Sequence, residues 1–146
     1  MNLVIIAPSG AVRSALERLP LRDADQVTVI SAASPDVEST AVRALVFPAP
    51  LGRIGSALER VLAASVIGRN LQRLTPLDGG RRMARVALRS TAVRDAVAQA
   101  DLVAVLERDG ILTGWRARRR WAREETPAVF GAAPAETILK GMRAGA

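Results

Sequence analysis

The chain has no cysteine, no histidine and no tyrosine. Without cysteine there are no disulfides, no iron–sulfur ligation and no thiolate nucleophile, a pattern that suits a reducing cytoplasm. Without histidine, the Ser-His-Asp triad, the Cys-His pair and the common zinc sites are excluded. Chemistry is left to carboxylates, hydroxyls, arginine, the single lysine Lys140 and backbone N–H groups. Aromatic residues are only 3% of the 146, so the core has to be built from Ala, Val, Leu and Ile. The same scarcity weighs against binding of single-stranded nucleic acid, which uses aromatic stacking platforms, and no nucleic-acid partner is expected. No apolar run approaches the roughly 18 residues of a membrane-spanning helix. The opening Met1-Asn2-Leu3-Val4-Ile5-Ile6 lacks the basic start and long apolar centre of a secretion signal. A cytoplasmic protein is the expectation.

Hydrophobic residues make up 49% of the chain, enough for a folded core, and its length suits one domain over residues 1–146. The net charge is +7, from 21 Lys and Arg against 14 Asp and Glu, and every cation but Lys140 is arginine. Such a charge is compatible with phosphate-bearing ligands or with peripheral contact to the inner face of an anionic membrane.

Leu3 to Ala7 is an apolar, β-branched run without polar alternation, the signature of a strand buried on both faces. Helical spacing follows over Ala11 to Leu19, stopped by Pro20. Strands are predicted at Gln26 to Ser31, Ala44 to Phe47, Asp101 to Leu106 and Thr126 to Phe130. The longest helical signal, Leu51 to Leu74, carries a stripe of Ile54, Leu58, Val61, Leu62 and Val66, and a turn follows from Thr75 to Gly80. Further helices are predicted over Arg81 to Gln99, Ile111 to Arg123 and from Pro134 onward. Strands alternating with helices imply parallel pairing, so the expected fold is α/β: a single Rossmann-like domain with a mostly parallel sheet of about five strands and helices on both faces.

Such folds bind ligands at the carboxyl ends of their strands, which singles out two turns. The first, Pro8-Ser9-Gly10, has Ser9 and Gly10 placed to cradle a phosphate or sugar, although it is neither a dinucleotide fingerprint nor a Walker loop. The plainer reading makes Ser9 a helix cap. The second, Glu107-Arg108-Asp109-Gly110, offers two carboxylates as general bases toward an acceptor hydroxyl, with Arg108 beside them to bind ligand. The plainer reading has Asp109 capping the next helix and Glu107 pairing with Arg108 or solvent. Arg116, Arg118, Arg119, Arg120 and Arg123 crowd one helix with Trp115 and Trp121, and Arg81, Arg82, Arg85 and Arg89 load the one before. Either set suits a phosphate-facing or membrane-surface helix. Either also suits a solvated face, which in the first helix would bury Ile111, Leu112 and Trp115 and pair Arg120 with Glu124.

The stretch Ala100-Asp101-Leu102-Val103-Ala104-Val105-Leu106-Glu107-Arg108-Asp109-Gly110, its Ala/Arg-rich helix and Thr126-Pro127-Ala128-Val129-Phe130-Gly131 resemble the N-terminal, acceptor-side domain of GT-B fold glycosyltransferases. The opening strand with its Ser/Gly turn is similar too. In that family a histidine usually follows the fourth strand, and here Glu107 and Asp109 stand in its place. The resemblance implies a sugar-transfer role in the cell envelope, with Glu107 or Asp109 as base, Ser9 and Gly10 lining the cleft, and a separate donor-binding glycosyltransferase subunit as partner. No cofactor is expected. Two other readings stay open: a non-catalytic homodimeric interaction module, and a nucleotide- or phosphate-binding regulator built on the Pro8-Ser9-Gly10 turn.

Overall fold

Alternate residues of the first strand go to opposite sides of the sheet, and both sides are apolar. In the computed structural model, which describes residues 1–37, 39–48 and 79–145, this strand is β1 (Asn2–Ile6). Leu3 and Ile5 enter one core and Val4 and Ile6 the other, all at most 2% exposed. Each such side chain contributes about 1.5–3 kcal/mol when withdrawn from water. Burial on both faces is what a run of consecutive branched residues demands.

After β1 come α1 (Arg13–Arg18), β2 (Gln26–Ser31), β3 (Val42–Val46), α2 (Gly79–Ala87), α3 (Thr91–Ala98), β4 (Leu102–Val105), α4 (Ile111–Trp121), β5 (Ala128–Phe130) and α5 (Ala132–Ala144). All five strands are parallel, in the order β3-β2-β1-β4-β5. The chain builds outward from β1 to β3, then returns to the other side of β1, where Leu3 pairs with Leu102 and Ile6 with Val105. Helices α1 and α5 cover one face, with Val12 and Leu19 flanking the two ends of α1 and Ala135 and Leu139 within α5. Helices α2, α3 and α4 cover the other with Met83, Ala87, Val93, Val97 and Ala117. The expected α/β class, the parallel five-stranded sheet and the two helical layers are all present.

Several boundaries differ from expectation, each for a local reason. The helix predicted over Arg81 to Gln99 is two helices, α2 and α3. The hydroxyl of Ser90 accepts the Val93 N–H at 3.4 Å and starts a new helix, because serine bonds nearby backbone more readily than it extends a helix. The last strand begins at Ala128 instead of Thr126. Thr126 is 2% exposed and spends its hydroxyl on the Ala100 carbonyl at 3.0 Å, while Pro127 has no N–H to give a ladder. Helix α4 ends at Trp121, because Arg123 turns back to the Asp101 carboxylate at 2.8 Å. The predicted helix at Leu51 to Leu74, with its Ile54 to Val66 stripe, lies outside the described residues, as does most of the Thr75 to Gly80 turn.

Candidate functional site

The strand order reverses between β1 and β4, and in open α/β sheets the crevice above such a reversal is the usual ligand position. Ser9 leaves β1 there and Glu107 leaves β4. The Ser9 N–H donates to Glu107 Oε2 at 2.9 Å, and the Ser9 hydroxyl donates to Glu107 Oε1. The sheet thus brings together two of the predicted site residues, and both carboxylate oxygens of Glu107 are engaged by one serine. Glu107, half-buried, has Ser9 in place of Arg108 as its partner, and Ser9 does not cap α1.

Asp36, from the loop after β2, caps that helix. Its Oδ1 accepts the N–H groups of Val12 and Arg13, each at 2.9 Å. The Val12 N–H does most to hold the Asp36 carboxyl below the ordinary aspartate range; desolvation opposes it, and the Arg13 N–H adds to it. The remaining donors of the turn are also committed. Gly10 N–H goes to the Ala7 carbonyl at 2.9 Å and Ala11 N–H to Ser9 Oγ at 3.1 Å. Gly10 has φ +82°, and a Cβ there would lie 2.5 Å from the Ser34 carbonyl oxygen. The close approach its missing side chain permits is therefore to the chain itself. No backbone N–H from Ser9 to Arg13 is left for a phosphate.

Glu107 and Asp109, two residues apart, open on different clefts. Glu107 lines a hollow of about 310 Å³ with Ser14 and Arg18 of α1 and Ala132 at the start of α5. Asp109 sits in the single 3-10 turn Arg108–Gly110 that leads into α4, and α4 has no side-chain cap. The expected capping role of Asp109 is thus absent. Its carboxylate is exposed and lines a second cleft of about 460 Å³ with Arg108, Arg81, Leu112, Ile111 and Trp115.

That second cleft exists because of the way α4 is rotated. The helix buries Thr113, Gly114 and Ala117 against the sheet. A Cβ on Gly114 would collide with Val105 Cγ2, so the helix axis lies close to β4 and no large side chain fits on that side. Ile111 and Trp115 consequently point outward, 45% and 55% exposed. This corrects the expectation that Ile111, Leu112 and Trp115 form the buried face, with Leu112 alone half-buried. The Arg119 guanidinium lies 5.4 Å from the centre of the Trp115 ring, and Arg120 stands 5.6 Å from that of Trp121. The expected Arg120–Glu124 pair does not form among the described residues. Glu124 lies past the helix end, where its carbonyl accepts from Arg118 at 2.9 Å.

Sequence reasoning placed Ser9, Gly10, Glu107, Arg108 and Asp109 at the carboxyl edge of the sheet. It missed Asp36 as the cap of α1, and Trp115 as an exposed aromatic beside Asp109. The only local signal for Asp36 was its place in a Ser-Pro-Asp loop. Compared with protein-family models, curated proteins and solved structures, the chain matches none.

Proposed function

We propose that this chain is the acceptor-side half of a sugar-transfer enzyme that works with a separate donor-binding subunit, and that Asp109 is its general base. One observation carries this reading: Asp109 shares a cleft at the carboxyl edge of the sheet with an exposed aromatic ring, Trp115, and two arginines, Arg81 and Arg108. A flat indole suits the apolar face of a sugar ring. The arginines suit a phosphate on the acceptor, and the carboxylate suits the hydroxyl that attacks. Glu107 takes a positioning role, since Ser9 holds both of its oxygens.

In the reaction proposed, the acceptor hydroxyl oxygen bonds to the anomeric carbon of a nucleoside-diphosphate sugar held by the partner. The bond from that carbon to the diphosphate breaks with its electron pair, and the hydroxyl proton passes to Asp109. General-base assistance of this kind supplies about 10²–10⁴-fold in rate. The test is an extract of cells lacking this gene, given a labelled nucleoside-diphosphate sugar and the purified full chain. Added chain should restore label to the lipid-phosphate fraction, and Asp109→Asn should lower the rate by about 10²-fold or more. Unchanged labelling with Asp109→Asn, or no effect of the parent chain, overturns the reading.

A further inference from the structure

Two rows of arginine meet across α2 and α4. Arg81 and Arg85 of α2, with Arg89 just beyond its end, and Arg116 and Arg120 of α4 line a groove of about 500 Å³, along with Ala84, Leu88 and Leu112. Members of each row are four residues apart, about 6 Å along a helix axis. Neither α2 nor α4 contains an acidic residue. Among the described residues no carboxylate stands within ion-pair distance of Arg85, Arg89, Arg116 or Arg120. Arg81 has partners of its own and, with Leu112, is shared between this groove and the Asp109 cleft.

Like charges gathered in a concave surface repel one another, and the low-dielectric walls concentrate their field on whatever enters. The complementary ligand carries several negative charges in line and is narrow enough to lie between two helices. Linked phosphates meet both conditions, and each guanidinium presents a fork of N–H donors matched to phosphate oxygens. A flat bilayer surface would leave a groove set between two helices unfilled. A single nucleic-acid strand would need aromatic platforms within the groove for its bases, and the groove lining itself contains none.

We propose that the α2/α4 groove is an oligophosphate site, taking two or more linked phosphates carried by a nucleotide or by a lipid. As the phosphate subsite of the acceptor it rests on the sugar-transfer reading, but its test reads the groove alone. Calorimetric titration of the full chain with tripolyphosphate should show binding about tenfold or more tighter than orthophosphate, and weaker as salt is raised. The double variant Arg85→Ala/Arg116→Ala should lose about tenfold in tripolyphosphate affinity. Arg94→Ala, at a residue paired with Asp95 on α3, should bind as the parent does. If circular dichroism shows the alanine pair unfolded, Arg85→Lys/Arg116→Lys replaces it; this pair keeps the charge, loses the fork and should still bind more weakly. Parallel titrations with farnesyl diphosphate and ADP separate the lipid from the nucleotide source, and tight binding of either supports the site.

Equal affinity for tripolyphosphate and orthophosphate overturns the proposal, as does tripolyphosphate binding indifferent to the groove variants. So does binding to phosphatidylglycerol vesicles or a single-stranded oligonucleotide without tripolyphosphate binding. Tripolyphosphate bound in the groove with no sugar transfer in the extract would sink the transfer reading and leave this site standing.

Discussion

Ser9 and Glu107, 98 residues apart in the chain, are joined by two hydrogen bonds across the point where the sheet reverses its strand order. The serine also receives the Ala11 N–H, so one side chain ties the end of β1, the approach to α1 and the end of β4 together. The link positions the Glu107 carboxylate toward the α1/α5 side and leaves Asp109 to the α2/α4 side. Two acidic residues that look equivalent in the sequence therefore have separate surroundings.

The link itself should be measurable. Ser9→Ala removes both the hydroxyl's bond to Glu107 and its acceptance of the Ala11 N–H, and should cost about 0.5–1.5 kcal/mol per bond in urea unfolding. Glu107→Gln keeps one acceptor oxygen and should cost about 0.5–1.5 kcal/mol. Because both variants break the same contact, the double variant should cost less than their sum. Additive losses in that cycle would mean that the two side chains do not stabilise one another.

Gly114→Ala tests the close packing that turns Trp115 outward. The added methyl meets Val105 Cγ2, and valine is too stiff at its first torsion to swing away. Overpacking of this kind costs about 1–3 kcal/mol. A Cβ added at Gly141 in α5 would meet nothing within 4 Å. There the same change should stabilise by up to about 1 kcal/mol through helix propensity alone. Equal effects at the two sites, read from melting temperatures, would contradict the packing described.

Acid should destabilise the fold through Asp25, Asp36 and Asp101, whose carboxyls are all held below the usual range. Burial pushes the Asp25 carboxyl up. The Arg22 N–H at 2.8 Å, the N-terminal ammonium at 3.1 Å and the Arg143 guanidinium together outweigh it. For Asp101 the Asn2 N–H at 2.8 Å is the leading cause, opposed by desolvation and aided by Arg123. Groups with a lowered folded value bind fewer protons in the folded state than in the unfolded one. Their stabilisation is complete above the unfolded value, about 3.9, and is lost as pH falls through the folded values. The melting temperature should therefore decline progressively from about pH 5 downward. Asp25→Asn should lower stability at neutral pH by about 1–3 kcal/mol and flatten part of that decline. A melting temperature independent of pH between about 5 and 2 would refute the assignment.

The alternation and burial of the sheet are written in short stretches of sequence. Leu3-Val4-Ile5-Ile6 and Leu102-Val103-Ala104-Val105 carry apolar side chains at every position, and a strand covered on both faces satisfies that. The lack of histidine and cysteine likewise restricts the chemistry before any fold is known. The placing of Ser9, Glu107 and Asp109 at the carboxyl edge follows from strand-then-turn order alone. What the local pattern does not carry is which distant partner each of these groups meets. Asp36 reaches the Val12 N–H across 24 residues and Ser9 reaches Glu107 across 98, contacts that exist only once β1 lies between β2 and β4. The rotation of α4 was hidden for a related reason. Its periodicity offers either Ile111 and Trp115 or Thr113, Gly114 and Ala117 to the sheet, and the tertiary structure takes the small set, which lets the helix lie close against Val105. Sequence determined the kind of sheet and the groups available for chemistry; only packing decided which carboxylate is tied to Ser9 and which stands beside Trp115.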